Sequence, residues 1–358
     1  AARSGEGKCL GKGTKIIMYD GSIKKVENIV VNDLLMGANS SPRKVLSVTN
    51  GIDDMYEIKQ NRAINYVVNS KHILSLKQSR NDKNSKNGTL VNISVEDYIG
   101  LTKKSKDNLK GYKVPIEFTK KDLSIEPYYL GIWLGDGTSA KPQITSADKE
   151  VIEYIYNYAK RLNMKVSKYQ NTKNCWQYAY VGGMLNMLRD INVLNNKHIP
   201  FNYLTSSKED RLELLAGIID SDGYMGHNGF EITQKNINLM KDIKFLADSL
   251  GFRTSPIREK RATIKSIGFS GIYYRITIHG KMWTVPTKIE RKQVKFTKKK
   301  INQSLTGINV EYIGKDEYYG FMLDGDGLFL LEDGTVTHNS ALALSIANHV
   351  AFVEKRKV

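Results

Sequence analysis

The 358-residue sequence predicts a mixed β and α/β fold, an all-β domain split by a duplicated α+β unit. Three observations predict it. Short apolar runs at 16–19, 45–48, 56–58 and 66–68 are punctuated by Asp20-Gly21 and Asn50-Gly51, pairs that favour hairpin turns. The stretch Y-Y-L-G-I-W-L-G-D-G at 128–137 is echoed by L-L-A-G-I-I-D-S-D-G at 214–223. Strand-like runs then return at 310–313, 318–323 and 328–331. The length leads one to expect at least two domains.

Composition narrows the function classes. The net charge is +17 and the pI about 9.5, which points to a polyanionic partner, nucleic acid above all. Two cysteines, Cys9 and Cys175, are too few for a disulfide framework or a Cys-rich zinc site. No apolar run reaches membrane-spanning length, and the first residues lack the apolar core of a signal peptide. A cytoplasmic monomer with no membrane partner is expected.

The two ends of the chain read as one interrupted motif. Residues 1–8 are A-A-R-S-G-E-G-K and residues from 340 are S-A-L-A-L-S-I-A. Joining Lys8 to Ser340 gives a glycine-rich phosphate loop entering an amphipathic helix, with Ala2 in place of the first glycine. Between them, Cys9 follows Lys8 directly, His72 opens an apolar run at 73–76, and His338-Asn339 precedes Ser340. A lone Cys is more often a small core residue, and a lone His more often a structural one. Their placement at the interruption changes that balance.

The string C-L-G-K-G-T-K-I-I-M-Y-D-G from Cys9, Asn69-Ser70-Lys71-His72, and residues 320–339 ending in His-Asn before Ser resemble the sequence blocks of an intein. Inteins are self-splicing domains of the Hedgehog/intein (HINT) fold. The resemblance covers residues 9–339, with two departures: Asn69 stands where Thr is usual, and Gly327 where His often precedes the Phe matched by Phe329. It implies autocatalysis without a cofactor. Cys9 attacks the Lys8 carbonyl, His72 protonates the departing nitrogen, Ser340 takes over the acyl group, and Asn339 cyclises with help from His338. A spontaneous acyl shift leaves Lys8 joined to Ser340.

Residues 77–121 are lysine-rich, with Asn and Ser around 79–88, and read as a mobile basic connector or an arm for DNA phosphates. The duplicated unit follows at 122–297, in copies of about 122–208 and 209–297. Helix-period segments at 148–162 and 236–250 follow each decapeptide, and strands at 165–181 and 253–278 complete each copy. Small residues (Gly131 with Gly135, Ala216 with Gly217) let two apolar helices approach closely. That sets Asp136 and Asp222 side by side. Adjacent carboxylates repel unless a cation lies between them, and oxygen ligands favour Mg²⁺ or Mn²⁺. One such copy alone would read as a packed helix ended by Asp-Gly; two copies in a basic chain favour a metal site.

The pair resembles the double LAGLIDADG motif of homing endonucleases, which often sit inside inteins. That resemblance implies cleavage of double-stranded DNA at a long asymmetric site, with Asp136 and Asp222 holding the metal. It also implies an assisting lysine in each copy. Lys197 matches in Asn196-Lys197-His198-Ile199-Pro200, and Lys288 is the choice in the second copy, with Lys292 the alternative. Alternating Lys, Arg and Tyr at 165–180 and 253–275 are expected to face DNA.

The division expected is therefore a first flank at 1–8, splicing-domain parts at 9–121 and 298–339, the endonuclease between them, and a second flank at 340–358. Rejoined, the flanks resemble the phosphate loop of a RecA-type ATPase, most like a replicative DnaB-type helicase. Lys8 and Ser340 would then bind nucleotide phosphate and Mg²⁺ in the spliced host. Two alternatives stay open at this level: a splicing-only intein with a decayed endonuclease, and a non-splicing RecA-type ATPase with an inserted DNA-binding domain.

Overall fold

The computed structural model describes residues 8–81, 86–172, 175–226, 229–264, 269–296 and 302–339. The chain divides into two compact units, residues 1–116 with 302–358, and residues 117–301.

The first unit is built on a five-stranded sheet ordered Ile308–Leu323, Cys9–Gly11, Tyr66–Asn69, Pro42–Gln60, Leu34–Met36. Ile308–Leu323 also pairs with Pro42–Gln60, so four of these strands close into a ring. Their inward positions supply the core, including Leu10, Val45, Ile58, Val68 and Phe321. Asp20-Gly21 turns the chain between Lys15–Ile17 and Ile23–Lys25 as expected, with Gly21 at φ +93°. Asn50-Gly51 does not form the expected hairpin. It lies inside the continuous Pro42–Gln60 strand, opposite Tyr319 and Tyr318. The glycine serves close packing instead: a Cβ on Gly51 would stand 2.7 Å from Tyr318 Oη.

The basic connector is largely folded rather than a mobile loop. Strands Leu305–Thr306, Leu109–Tyr112, Ile73–Gln78 and Leu90–Ser94 form a second sheet in that order. Helices Val95–Gly100 and Lys103–Asn108 are N-capped by Ser94 and Thr102. Apolar residues spaced between the lysines (Leu74, Leu76, Val95, Tyr98, Leu109) supply its buried side. Residues 82–85 lie outside the described residues.

The second unit is organised by two helices, Pro127–Asp136 and Lys208–Asp222, each ending in one of the repeated Asp-Gly pairs. The first starts with Pro at N1, where a missing N–H costs nothing. The second is capped by Ser207, whose side chain accepts from Asp210 N. The helices meet backbone to backbone. A Cβ on Gly217 would stand 2.3 Å from Tyr128 O, and one on Gly131 would stand 2.4 Å from Leu214 O. Each copy then follows the expected course. Helices Lys149–Arg161 and Ile237–Ser249 begin after Asp148 and Asn236. One three-stranded sheet is ordered Gln143–Ser146, Cys175–Val181, Lys165–Thr172; the other is built on Gly229–Gln234 and Phe269–His279. No helix among the described residues is long and apolar enough to cross a membrane.

Gly217→Ala tests the backbone contact. Helix propensity alone would favour Ala by about 1 kcal/mol. The clash outweighs it, and a net loss on the order of 1–3 kcal/mol is expected in urea unfolding. Gly100→Ala, where a Cβ meets open space, serves as the neutral control. An unchanged midpoint for Gly217→Ala would contradict the packing.

Candidate active sites

In the first unit the residues of both junctions gather at one buried place. Cys9 is held by antiparallel pairing to Gly320, and its side chain has no exposed surface. A Cβ on Gly320 would stand 2.6 Å from Cys9 Sγ and 3.5 Å from Lys8 O, so the missing side chain is what makes room for the thiol. Burial, then the negative charge of Asp53, push the thiol up to about 12. The Cys9 N–H, the nitrogen side of the Lys8–Cys9 bond, donates to Asn69 Oδ1 at 3.1 Å. Asn69 Nδ2 in turn donates to Asp53 Oδ2 at 3.1 Å.

His72 follows a tight turn in which its N–H donates to Asn69 O, and it is wholly buried. Its Nε2 is 2.8 Å from Thr337 Oγ1, while Nδ1 is buried without a hydrogen-bond partner among the described residues. Through Nε2 the imidazole thus meets the strand that leads to Asn339. Burial, the neighbouring His338 and the Lys8 ammonium lower His72 to about 3; burial and Lys8 lower His338 to about 4. Both rings are neutral at pH 7. These shared influences place Lys8, His72 and His338 within electrostatic reach of one another.

His338 ends the Val336–His338 strand, opposite Leu328. Asn339 is buried, and its N–H donates to Gly327 O at 2.7 Å. Gly327 has φ +71°, a left-handed conformation in which glycine is favoured. The departure from His at this position therefore has a local use, because the turn presents its carbonyl to Asn339. Ser340 and the first seven residues lie outside the described residues. Asp53, Gly320 and Thr337 were missed by sequence reading. Each meets its partner through a contact distant in sequence, which no short motif announces.

In the second unit Asp136 and Asp222 end the two packed helices. Burial and the neighbouring Asp222 carboxylate push Asp136 up to about 6, against the opposing pull of Lys292 and Lys197. Burial raises Asp222 as well, and Gln234 Nε2 donates to its Oδ2. Two neighbouring carboxylates whose ionisation burial opposes make a site short of positive charge. Their oxygen-only donor set fits a hard divalent cation. Among the described residues no group of three or more His, Cys, Asp or Glu forms a metal cage.

Lys197 Nζ donates to Leu134 O, Gly135 O and Gly137 O at 2.9, 3.2 and 2.7 Å, at the end of the first helix. Burial lowers its amine to about 8. The counterpart at the second helix is Lys292, whose Nζ donates to Ile219 O and Asp220 O at 2.8 and 2.7 Å and whose amine burial also lowers. Lys288, the sequence choice, is placed differently. Its Nζ sits 4.4 Å from the centre of the Tyr128 ring and 5.2 Å from that of Tyr154, while its backbone N–H donates to Asp220 Oδ2. The one-turn helix Glu290–Lys292 carries the alternative residue into place. On the strand surfaces, Lys168 lies over the Trp176 ring at 4.1 Å, and Arg275 pairs with Glu231 at 3.1 Å.

Residues 9–338 match the family described as Hom_end-associated Hint. The replicative DNA helicase DnaB of Mycobacterium intracellulare is 31% identical over 275 residues, which are 71% of this chain and 44% of the helicase. The chain thus spans less than half the length of that relative. A solved structure of I-DmoI in complex with DNA and Mn is 16% identical, covering 43% of this chain and 88% of its own at a TM-score of 0.30. The gp41-1 intein is 20% identical, with 30% and 69% covered and a TM-score of 0.23. The family match runs over nearly the whole chain. The chain belongs to the Hom_end-associated Hint family and is an intein of the HINT type carrying a homing-endonuclease unit.

Proposed function

We propose that the chain splices itself out of a host protein and that its second unit cuts double-stranded DNA. The observation that carries the first activity is the buried meeting of the two junctions, where His72 bridges to Thr337 beside Cys9 and Asn339.

In this reading the Cys9 thiol attacks the Lys8 carbonyl, with the thiol proton leaving for the departing nitrogen. The high thiol pKa means that no standing thiolate is held; attack relies on proximity and on proton transfer during the step. Ser340 then takes the acyl group from sulfur, and Asn339 closes on its own carbonyl to release the second junction. The neutral His338 is suited to accept a proton from the Asn339 amide. A final shift to nitrogen joins Lys8 to Ser340. The helicase relative supports a DnaB-type host, in which the rejoined Lys8 and Ser340 would serve a phosphate loop.

For the second activity, Asp136 and Asp222 would hold Mg²⁺ or Mn²⁺. Bound there, the cation supplies charge for a developing phosphate oxyanion and a leaving 3′ oxygen. Lys197 and Lys292 place positive charge beside the carboxylate pair. The basic strands at 165–180 and 253–275 would lie along a long, asymmetric DNA site.

Defined outcomes test these readings. In the chain carrying Cys9→Ala with Asn339→Ala, mass spectrometry is expected to find only unspliced precursor; joined flanks would refute the splicing assignment. Asp136→Asn or Asp222→Asn is expected to abolish cutting of an intein-less host gene while splicing continues, and Lys292→Met to slow cutting by about 10²-fold. Lys288→Met should leave it near the parent rate; the reverse ranking would overturn the lysine assignment. A parent chain that splices without cutting would instead mark a decayed endonuclease. The depressed imidazoles set the pH dependence of stability. Unfolded histidines take up protons near pH 6.5, and the buried rings only near 3 and 4. Unfolding stability of the first unit is therefore full above the ordinary histidine range and falls as pH drops toward 4. His72→Gln should flatten that fall in an acid titration followed by hydrogen exchange; an unchanged slope would contradict the burial cost.

A further inference from the structure

The carboxamide of Asn69 stands between the Cys9 N–H, to which it offers Oδ1, and Asp53, to which it donates from Nδ2. An ionised carboxylate only accepts hydrogen bonds, so Asp53 fixes which end of the amide faces which partner. Asp53 lies within the Pro42–Gln60 strand, and Met55, two residues further along it, pairs with Asn69 across the sheet. Its other oxygen, Oδ1, accepts the Asp54 N–H at 2.8 Å, which holds the carboxylate in place.

We propose that Asp53 is a positioning residue for the first acyl shift, orienting Asn69 on the Cys9 N–H and offering fixed negative charge to the amine that Cys9 becomes. The proposal rests on the splicing reading above. In that step the Sγ–C bond to the Lys8 carbonyl forms, the C–N bond to Cys9 breaks, and the thiol proton ends on the Cys9 nitrogen. The freed amine takes a second proton from water. As ammonium it cannot return to the thioester, so whatever favours its charged form holds the equilibrium on the thioester side. The charge of Asp53 opposes ionisation of the thiol. Its use therefore lies at the nitrogen, where an acceptor already waits. Among the described titratable groups, Tyr318 interacts with Cys9 and Asp53, Lys8 precedes Cys9 in the chain, and Lys8 in turn acts on the neutral rings of His72 and His338. Among these groups, Asp53 is the one whose negative charge favours the ammonium at neutral pH.

The test uses the full chain with Asn339→Ala, which stalls the second junction. Cleavage of the Lys8–Cys9 bond by dithiothreitol is followed across the neutral and alkaline range. Adding Asp53→Asn is expected to slow thiolysis by about tenfold, the scale of one lost hydrogen bond to a charged group. It should also move the alkaline fall-off of thioester to lower pH, because the ammonium loses its counter-charge. Asp53→Glu should restore part of both. In a Cys9→Ala chain, Asp53→Asn should leave cleavage at Asn339 unchanged. Thiolysis at the parent rate and pH profile would overturn the proposal, as would equal loss of cleavage at both junctions, which marks a merely structural role. Thiolysis that persists in Cys9→Ala with Asn339→Ala would sink the splicing reading itself. With that control clean, failure of Asp53→Asn to act sinks only the role of Asp53.

Discussion

The pairing of Pro42–Gln60 with Ile308–Leu323 is the constraint on which the first unit depends. It joins segments far apart in sequence and closes the ring that holds Cys9 against Gly320. The insertion is accommodated because its edges are themselves paired. Tyr112 lies opposite Leu305, and Lys113 N donates to Ser304 O at 3.0 Å. Once those ends are fixed, lengthening the chain between them costs little, since each doubling of a loop adds only about 0.6 kcal/mol. A whole second unit can thus occupy the span without loosening the strands that position the junctions.

Within that frame the proposed splicing chemistry would start from uncharged groups. The thiol is protonated, both imidazoles are neutral, and all are buried. Burial removes competing water and makes a few hydrogen bonds decide geometry. The Asn69 carboxamide on the Cys9 N–H, the Thr337 hydroxyl on His72 and the Gly327 carbonyl on Asn339 N–H each hold one segment of the junctions. The second unit uses the opposite device. There two glycine-mediated helix contacts bring two carboxylates together, and the raised pKa of Asp136 expresses first its burial and then the neighbouring Asp222 charge.

The split β domain and the duplicated insertion were legible because they rest on period and repetition. The residues at the chain interruption were legible because their order is unusual. What escaped was set by tertiary contact. Asn50-Gly51 carries a strong local turn signal, yet the long strand overrides it and uses the glycine to admit Tyr318. The lysine-rich connector hides enough spaced apolar residues to fold. Lys288 and Lys292 are four residues apart, and only the Glu290–Lys292 turn decides which one reaches the helix carbonyls. Asn69 looked like a departure from a pattern; in place, its amide both accepts from Cys9 and donates to Asp53.

The most direct measurement is sequencing by tandem mass spectrometry of the products formed after expression of the unmodified chain. The account predicts a free segment beginning at Cys9 and ending at a cyclised Asn339, together with a peptide in which Lys8 is bonded directly to Ser340. An intact 358-residue chain as the sole product, with no Lys8–Ser340 peptide, would contradict it.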